Sequence, residues 1–198
     1  MATSNSTMNP LAGTLKSLAS VLDSLGIAYV IGGSMASSTR GVVRMTYDID
    51  IVAAIAPFQV ERFARELGPD WYADPDQMRA AIVARRAFNV IHISLGNKVD
   101  IFPATEDFHL CQLERATRVA LPFFDDPTQY PVATPEDILL AKLQWYKAGG
   151  QVSERQWTDI MGILATNPAL DLDYVRSWAV RLRVEDLLAR ALAEAETG

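Results

Sequence analysis

One cysteine, Cys111, and two histidines, His92 and His109, stand in a chain of 198 residues, so an internal disulfide and a Cys/His zinc cluster are both excluded. Cys111 reads as a small, partly buried hydrophobe. No apolar run reaches the roughly 18 residues of a membrane-spanning helix, and residues 1–9, rich in Ser, Thr and Asn, lack the layout of a secretory signal. The expectation is a loose tail over 1–9, no membrane partner and a cytoplasmic setting. A basic surplus is also missing: 18 Lys and Arg against 24 Asp and Glu give a net charge of −6. A grip on long nucleic acid through many phosphates is therefore not expected, unless a local patch or a bound metal offsets the acids. No serine sits in a G-x-S-x-G elbow, which removes most support for a hydrolase triad. What remains, 49% hydrophobic and 21% charged residues, is the composition of one globular domain, with room for a small appendage.

Apolar residues at Leu11, Leu15, Leu18, Leu22 and Leu25 recur at helical spacing, and Gly26 ends that helix. A short strand, Ala28 to Ile31, runs into Gly32-Gly33-Ser34. A helix from Met35 to Arg40 follows, capped by Ser34 and stopped by Gly41. A second strand is expected over Asp48 to Val52, helices over Pro57 to Leu67 and Pro75 to Arg86, and a hairpin from Phe88 to Phe102 turning at Leu95-Gly96-Asn97. Residues 114–133 read as β-rich, broken by Pro122, Pro127 and Pro131. Thr134-Pro135-Glu136-Asp137 then combines a capping hydroxyl, a proline in the first turn and early acids, and starts a helix reaching Gly149-Gly150. Further helices are expected over Ser153 to Thr166, Asp171 to Leu182 and Val184 to Glu196. The fold class is α/β (α+β): a small mixed β-sheet with helices over 10–133, followed by a helical C-terminal lobe over 134–198.

The chemistry concentrates in Asp48-Ile49-Asp50-Ile51-Val52. Strand side chains alternate between faces, so Asp48 and Asp50 share one face while Ile49 and Ile51 pack on the other. Their Cα atoms lie about 6 to 7 Å apart, and repulsion raises one carboxyl pKa unless a cation intervenes. A hard divalent ion, Mg²⁺ or Mn²⁺, suits oxygen ligands. Asp100, within Val99-Asp100-Ile101-Phe102, is an acid inside another apolar strand. If the two strands are neighbours, three carboxylates converge and can bracket two metal ions, the arrangement used for in-line phosphoryl or nucleotidyl displacement. The Gly32-Gly33-Ser34 turn permits close backbone approach and aims helix N–H groups at phosphate oxygens, although a double glycine alone is weak evidence.

Gly32-Gly33-Ser34, Ala36, Gly41, Arg44, Thr46 and Asp48-x-Asp50 together closely resemble the core motif of the nucleotidyltransferase superfamily related to DNA polymerase β. Val99-Asp100 resembles its third carboxylate strand. Thr134-Pro135-Glu136-Asp137 leading to Ala141-Lys142-Leu143 is similar to the following helix of AbiEii-type minimal members. The resemblance covers 28 to about 160. It implies that Asp48, Asp50 and Asp100 bind two Mg²⁺ (or Mn²⁺) ions, with Asp100 also helping to deprotonate the acceptor. It further implies that Gly32, Gly33, Ser34, Arg44 and Thr46 hold the nucleoside triphosphate, that Lys142 contacts phosphate, and that Asp159 belongs to a later polar motif of the nucleotide site. The implied acceptor is a hydroxyl on tRNA, protein or a small molecule. A toxin–antitoxin setting, with an antitoxin protein as partner, also follows from the AbiEii likeness, although such chains are often longer than this one. The alternative is an inactive nucleotide- or protein-binding regulatory module of the same fold.

Other features have plainer readings. His92 and His109 lack partners at metal-ligand spacing. Arg79, Arg85 and Arg86 read as the solvated edge of a helix, with an RNA or nucleotide acceptor as the other use. Trp145, Tyr146, Trp157, Tyr174 and Trp178 read as core aromatics, base stacking being their alternative.

Overall fold

The computed structural model describes residues 9–40, 48–122, 124–125 and 127–197. Helix α1 (Pro10–Ser24) starts where the Asn9 side chain accepts from the Leu11 N–H at 2.9 Å, and it buries Leu11, Leu15, Leu18 and Leu22. It gives way to Gly26, whose φ of 63° lies in the left-handed region. Strand β1 (Tyr29–Ile31) leads into α2 (Gly33–Thr39), and β2 spans Ile49–Ala53. A 3₁₀ turn at Pro57–Gln59 precedes α3 (Val60–Leu67). Then come β3 (Trp71–Tyr72), α4 (Pro75–Val83), β4 (Phe88–His92), β5 (Asn97–Pro103), α5 (Asp107–Arg115), β6 (Thr117–Ala120) and β7 (Gln129–Val132). Four helices finish the chain: α6 (Pro135–Ala148), α7 (Glu154–Thr166), α8 (Leu172–Leu182) and α9 (Glu185–Thr197).

The described strands form one mixed sheet in the order β3-β4-β5-β2-β1-β7-β6. The pairs β2–β5 and β1–β7 are parallel and the others antiparallel. The hairpin β4–β5 therefore does lie beside the Asp50 strand, as the converging-acid argument requires. One buried cluster joins α1, the sheet and the later helices, running from Leu11 and Leu15 through Ile51 and Ile101 to Leu139, Ile163 and Ala191. Among the described residues, no helix is long and apolar enough to cross a membrane.

Several boundaries differ from expectation. The helix after β1 begins at Gly33, and its N-cap is Gly32 rather than Ser34, because Gly33 at φ 56° already makes the turn and leaves Ser34 inside the helix. The helix expected to reach Arg86 stops at Val83, with Arg85 at a left-handed φ of 53°. Residues 114–133 are not continuously β-rich. Helix α5 extends to Arg115, and among the described residues of this stretch 117–120 and 129–132 pair as strands. The two-residue strand β3 has no counterpart in the sequence reading, since two residues carry no periodicity. The helix start at Thr134 is as expected, its side chain accepting from the Asp137 N–H at 3.3 Å.

Candidate active site

Ile49, Ile51 and Ala53 of β2 are fully buried on one face, which turns Asp48, just before the strand, and Asp50 towards the other. Strand β5 repeats the pattern, with Val99 and Ile101 fully buried and Lys98, Asp100 and Phe102 on the opposite face. Parallel pairing places Asp50 directly across from Asp100, so the two Cα atoms are about 4.8 Å apart. Burial pushes the Asp50 carboxyl up to about 6 from an ordinary 3.8, and the charges of Asp100 and then Asp48 push in the same direction. Opposing these, the Lys142 ammonium and a hydrogen bond from the Ser34 backbone N–H favour the charged form.

Lys98 is the cation already present. Its Nζ lies 2.6 Å from Asp100 Oδ2. Its pKa is raised first by that hydrogen bond, with further support from the charges of Asp100, Asp48 and Asp50. All three acids thus act on one point. Sequence reasoning missed Lys98, yet a signal existed: two residues before Asp100 on a strand is the same face.

The glycine turn lies directly against Asp50. The Gly32 N–H donates to the Asp50 carbonyl at 2.9 Å. A Cβ built on Gly33 would stand 1.8 Å from Asp50 Oδ2 and 2.8 Å from its Cβ. Only glycine fits there, on space and on φ alike.

Lys142 and Asp159 are brought together in the interior, Nζ to Oδ2 at 2.7 Å, with both side chains 5% exposed. Gln156 Oε1 accepts from the same ammonium at 3.4 Å. The pair links α6 to α7, and the charge of its lysine favours the ionised form of Asp50. Arg44 and Thr46 lie outside the described residues. Arg79 is turned to Glu61 at 2.6 Å and Asp76 at 3.1 Å. Of the aromatics read as core, Trp145 departs, since it is 54% exposed.

Fit to divalent metal follows from the donor chemistry. Among the described residues no three Asp, Glu, His or Cys side chains already stand as a ligating cage. The opposed pair Asp50 and Asp100, with Asp48 acting on both Asp50 and Lys98, nevertheless supplies hard oxygens in a like-charged cluster that a cation relieves.

The architecture is a nucleotidyltransferase fold. The chain is similar to the crystal structure of an antigenic nucleotidyltransferase-like protein from Paracoccidioides brasiliensis, at 21% identity and a TM-score of 0.53 over 93% of this chain and 92% of that one. It is also similar to the solution structure of the antibiotic-resistance factor ANT(2'')-Ia, at 14% identity and a TM-score of 0.50 over 96% and 97% of the two chains. No protein-family profile matches this chain, and no curated protein sequence matches it.

Proposed function

We infer that this chain is a metal-dependent nucleotidyltransferase. It moves a nucleoside monophosphate from a nucleoside triphosphate to a hydroxyl-bearing acceptor, with release of pyrophosphate. The observation that carries the reading is Asp50 itself: a mostly buried carboxylate, opposite Asp100, with Gly33 packed on it and the Ser34 N–H bonded to it. Burying like charges side by side costs stability, and a charged ligand at that place offsets the cost.

Asp48, Asp50 and Asp100 would hold two Mg²⁺ or Mn²⁺ ions, which when bound neutralise phosphate charge and lower the acceptor's pKa. Gly32, Gly33 and Ser34 hold the triphosphate close to Asp50, with Arg44 and Thr46 assigned to the same task. Asp100 accepts a hydrogen bond from the acceptor hydroxyl and orients its oxygen for in-line attack on the α-phosphorus. Lys142, held by Asp159, adds positive charge beside the acids and favours the leaving phosphates. Catalysis is then positioning and electrostatics.

A small-molecule hydroxyl is the favoured acceptor. The net charge of −6 disfavours a long polyanion, and one protein of the same fold is an antibiotic-resistance factor. The second reading, an inactive binding module, draws on Lys98, whose ammonium pairs with Asp100 at 2.6 Å.

Incubation of the full chain with labelled nucleoside triphosphates, Mg²⁺ and a panel of aminoglycoside, tRNA and protein acceptors tests the reading. Labelled acceptor and pyrophosphate are expected. Binding of nucleotide with no pyrophosphate from any acceptor establishes the module instead.

A further inference from the structure

Along β5, Phe102 follows Asp100 on the same face, roughly 6 to 7 Å further on. It pairs with Val52 of β2 in the register that sets Asp100 opposite Asp50. Above this face, α6 carries Lys142 and, three residues later, Trp145 on the adjoining part of its surface. Lys142 is tied to Asp159 of α7 at 2.7 Å. The Trp145 ring meets Phe102 edge-on, with centroids 5.7 Å apart and planes at 75°. Its helix neighbours Leu139, Leu140 and Leu143 are fully buried, whereas Trp145 leaves more than half its surface in water.

We propose that Trp145, braced by Phe102, is the platform on which the base of the nucleoside triphosphate stacks. This rests on the nucleotidyl-transfer reading and names the part of the site that holds the base. With the reacting phosphate at Asp50 and Asp100, one ribose spans the step from the acids to the Phe102 position, and the base then meets the indole. A nucleobase suits an exposed indole because each presents a flat apolar face, and joining them removes both faces from water. The Phe102 contact holds the ring in advance, so little side-chain freedom is lost on binding. Stacking recognises any base, and purines, with the larger face, bind more tightly than pyrimidines.

Calorimetry on the full chain with Mg²⁺ compares ATP with inorganic tripolyphosphate, for the native protein, Trp145→Ala and Trp145→Phe, each checked for folding by circular dichroism. ATP affinity falls roughly 5- to 100-fold in Trp145→Ala, Trp145→Phe retains most of it, and tripolyphosphate affinity is the same in all three. Unchanged ATP affinity in Trp145→Ala, with tripolyphosphate binding intact, overturns the platform and leaves the phosphate site standing. If that variant instead shows native ATP affinity and a raised KM for the acceptor, the ring serves the acceptor and the proposal is equally overturned. Native protein that binds neither probe refutes the nucleotidyl-transfer reading, and the platform with it.

Discussion

Asp50 and Asp100 face each other across two parallel strands that are 50 residues apart in the chain. Their pairing links the glycine turn, which touches Asp50, to Lys98, which touches Asp100, and makes one charged locus from three stretches of sequence. Strand alternation alone puts each acid on the right face; the sheet order makes them neighbours.

The raised Asp50 carboxyl gives a pH dependence of definite sign. In the unfolded chain the group loses its proton near 3.8, and in the folded, metal-free protein only near 6. The folded state therefore binds more protons between those values, and stability falls as pH rises through that window, by up to about 3 kcal/mol. Asp50→Asn removes this contribution. Denaturant titrations at pH 4 and pH 7 are expected to show the variant gaining on the native protein at the higher pH, with nucleotidyl transfer lost. An unchanged difference between the two pH values contradicts the assigned environment of Asp50.

Gly33→Ala imposes a side chain where Asp50 already stands, at a φ of 56°. The left-handed backbone costs about 1–2 kcal/mol, and the carboxylate is driven from its position. Transfer activity is expected to fall at least 100-fold with a smaller loss of thermal stability. Gly32→Ala has open space around its Cβ and an extended φ of −117°, so the added methyl strains nothing and its thermal stability is expected to stay close to native.

Lys98 competes for Asp100 with any metal. Lys98→Met removes the competing ammonium and is expected to tighten Mn²⁺ binding several-fold, as read by calorimetry without nucleotide. Weaker Mn²⁺ binding would mean that Lys98 holds the acids in shape rather than shielding them.

The sequence makes the elements near Asp50 readable because chemistry and periodicity coincide there. Ile49 and Ile51 fix the buried face, and the acids between them have one direction left. The helix start at Thr134 is readable for a similar reason, since capping is local, whereas Asn9, read as part of the loose tail, caps α1. Lys98 stands two residues before Asp100 on the same strand face and was overlooked because an exposed lysine is unremarkable until that acid is known to lie opposite Asp50. Strand β7 is harder still. Pro131 interrupts its pattern, and its place beside β1 rests on a parallel partner a hundred residues earlier. Trp145 obeys helical spacing and was read as core, yet spacing does not say whether another element covers that part of the helix, and the ring stays 54% exposed.

The Lys142–Asp159 pair separates stability from function. Both side chains are buried, so removing one partner takes from the other a counter-charge at 2.7 Å, and Lys142→Met or Asp159→Leu alone is expected to cost about 3–5 kcal/mol. In the double variant the interior is neutral and of similar volume, and most of the lost stability returns. Activity does not return if Lys142 supplies charge to the nucleotide's phosphates, because methionine carries none. Thermal denaturation and initial rates on the three variants give the answer. Stability restored together with native rates would make the pair a structural tie between α6 and α7; stability restored without activity gives the ammonium its catalytic role.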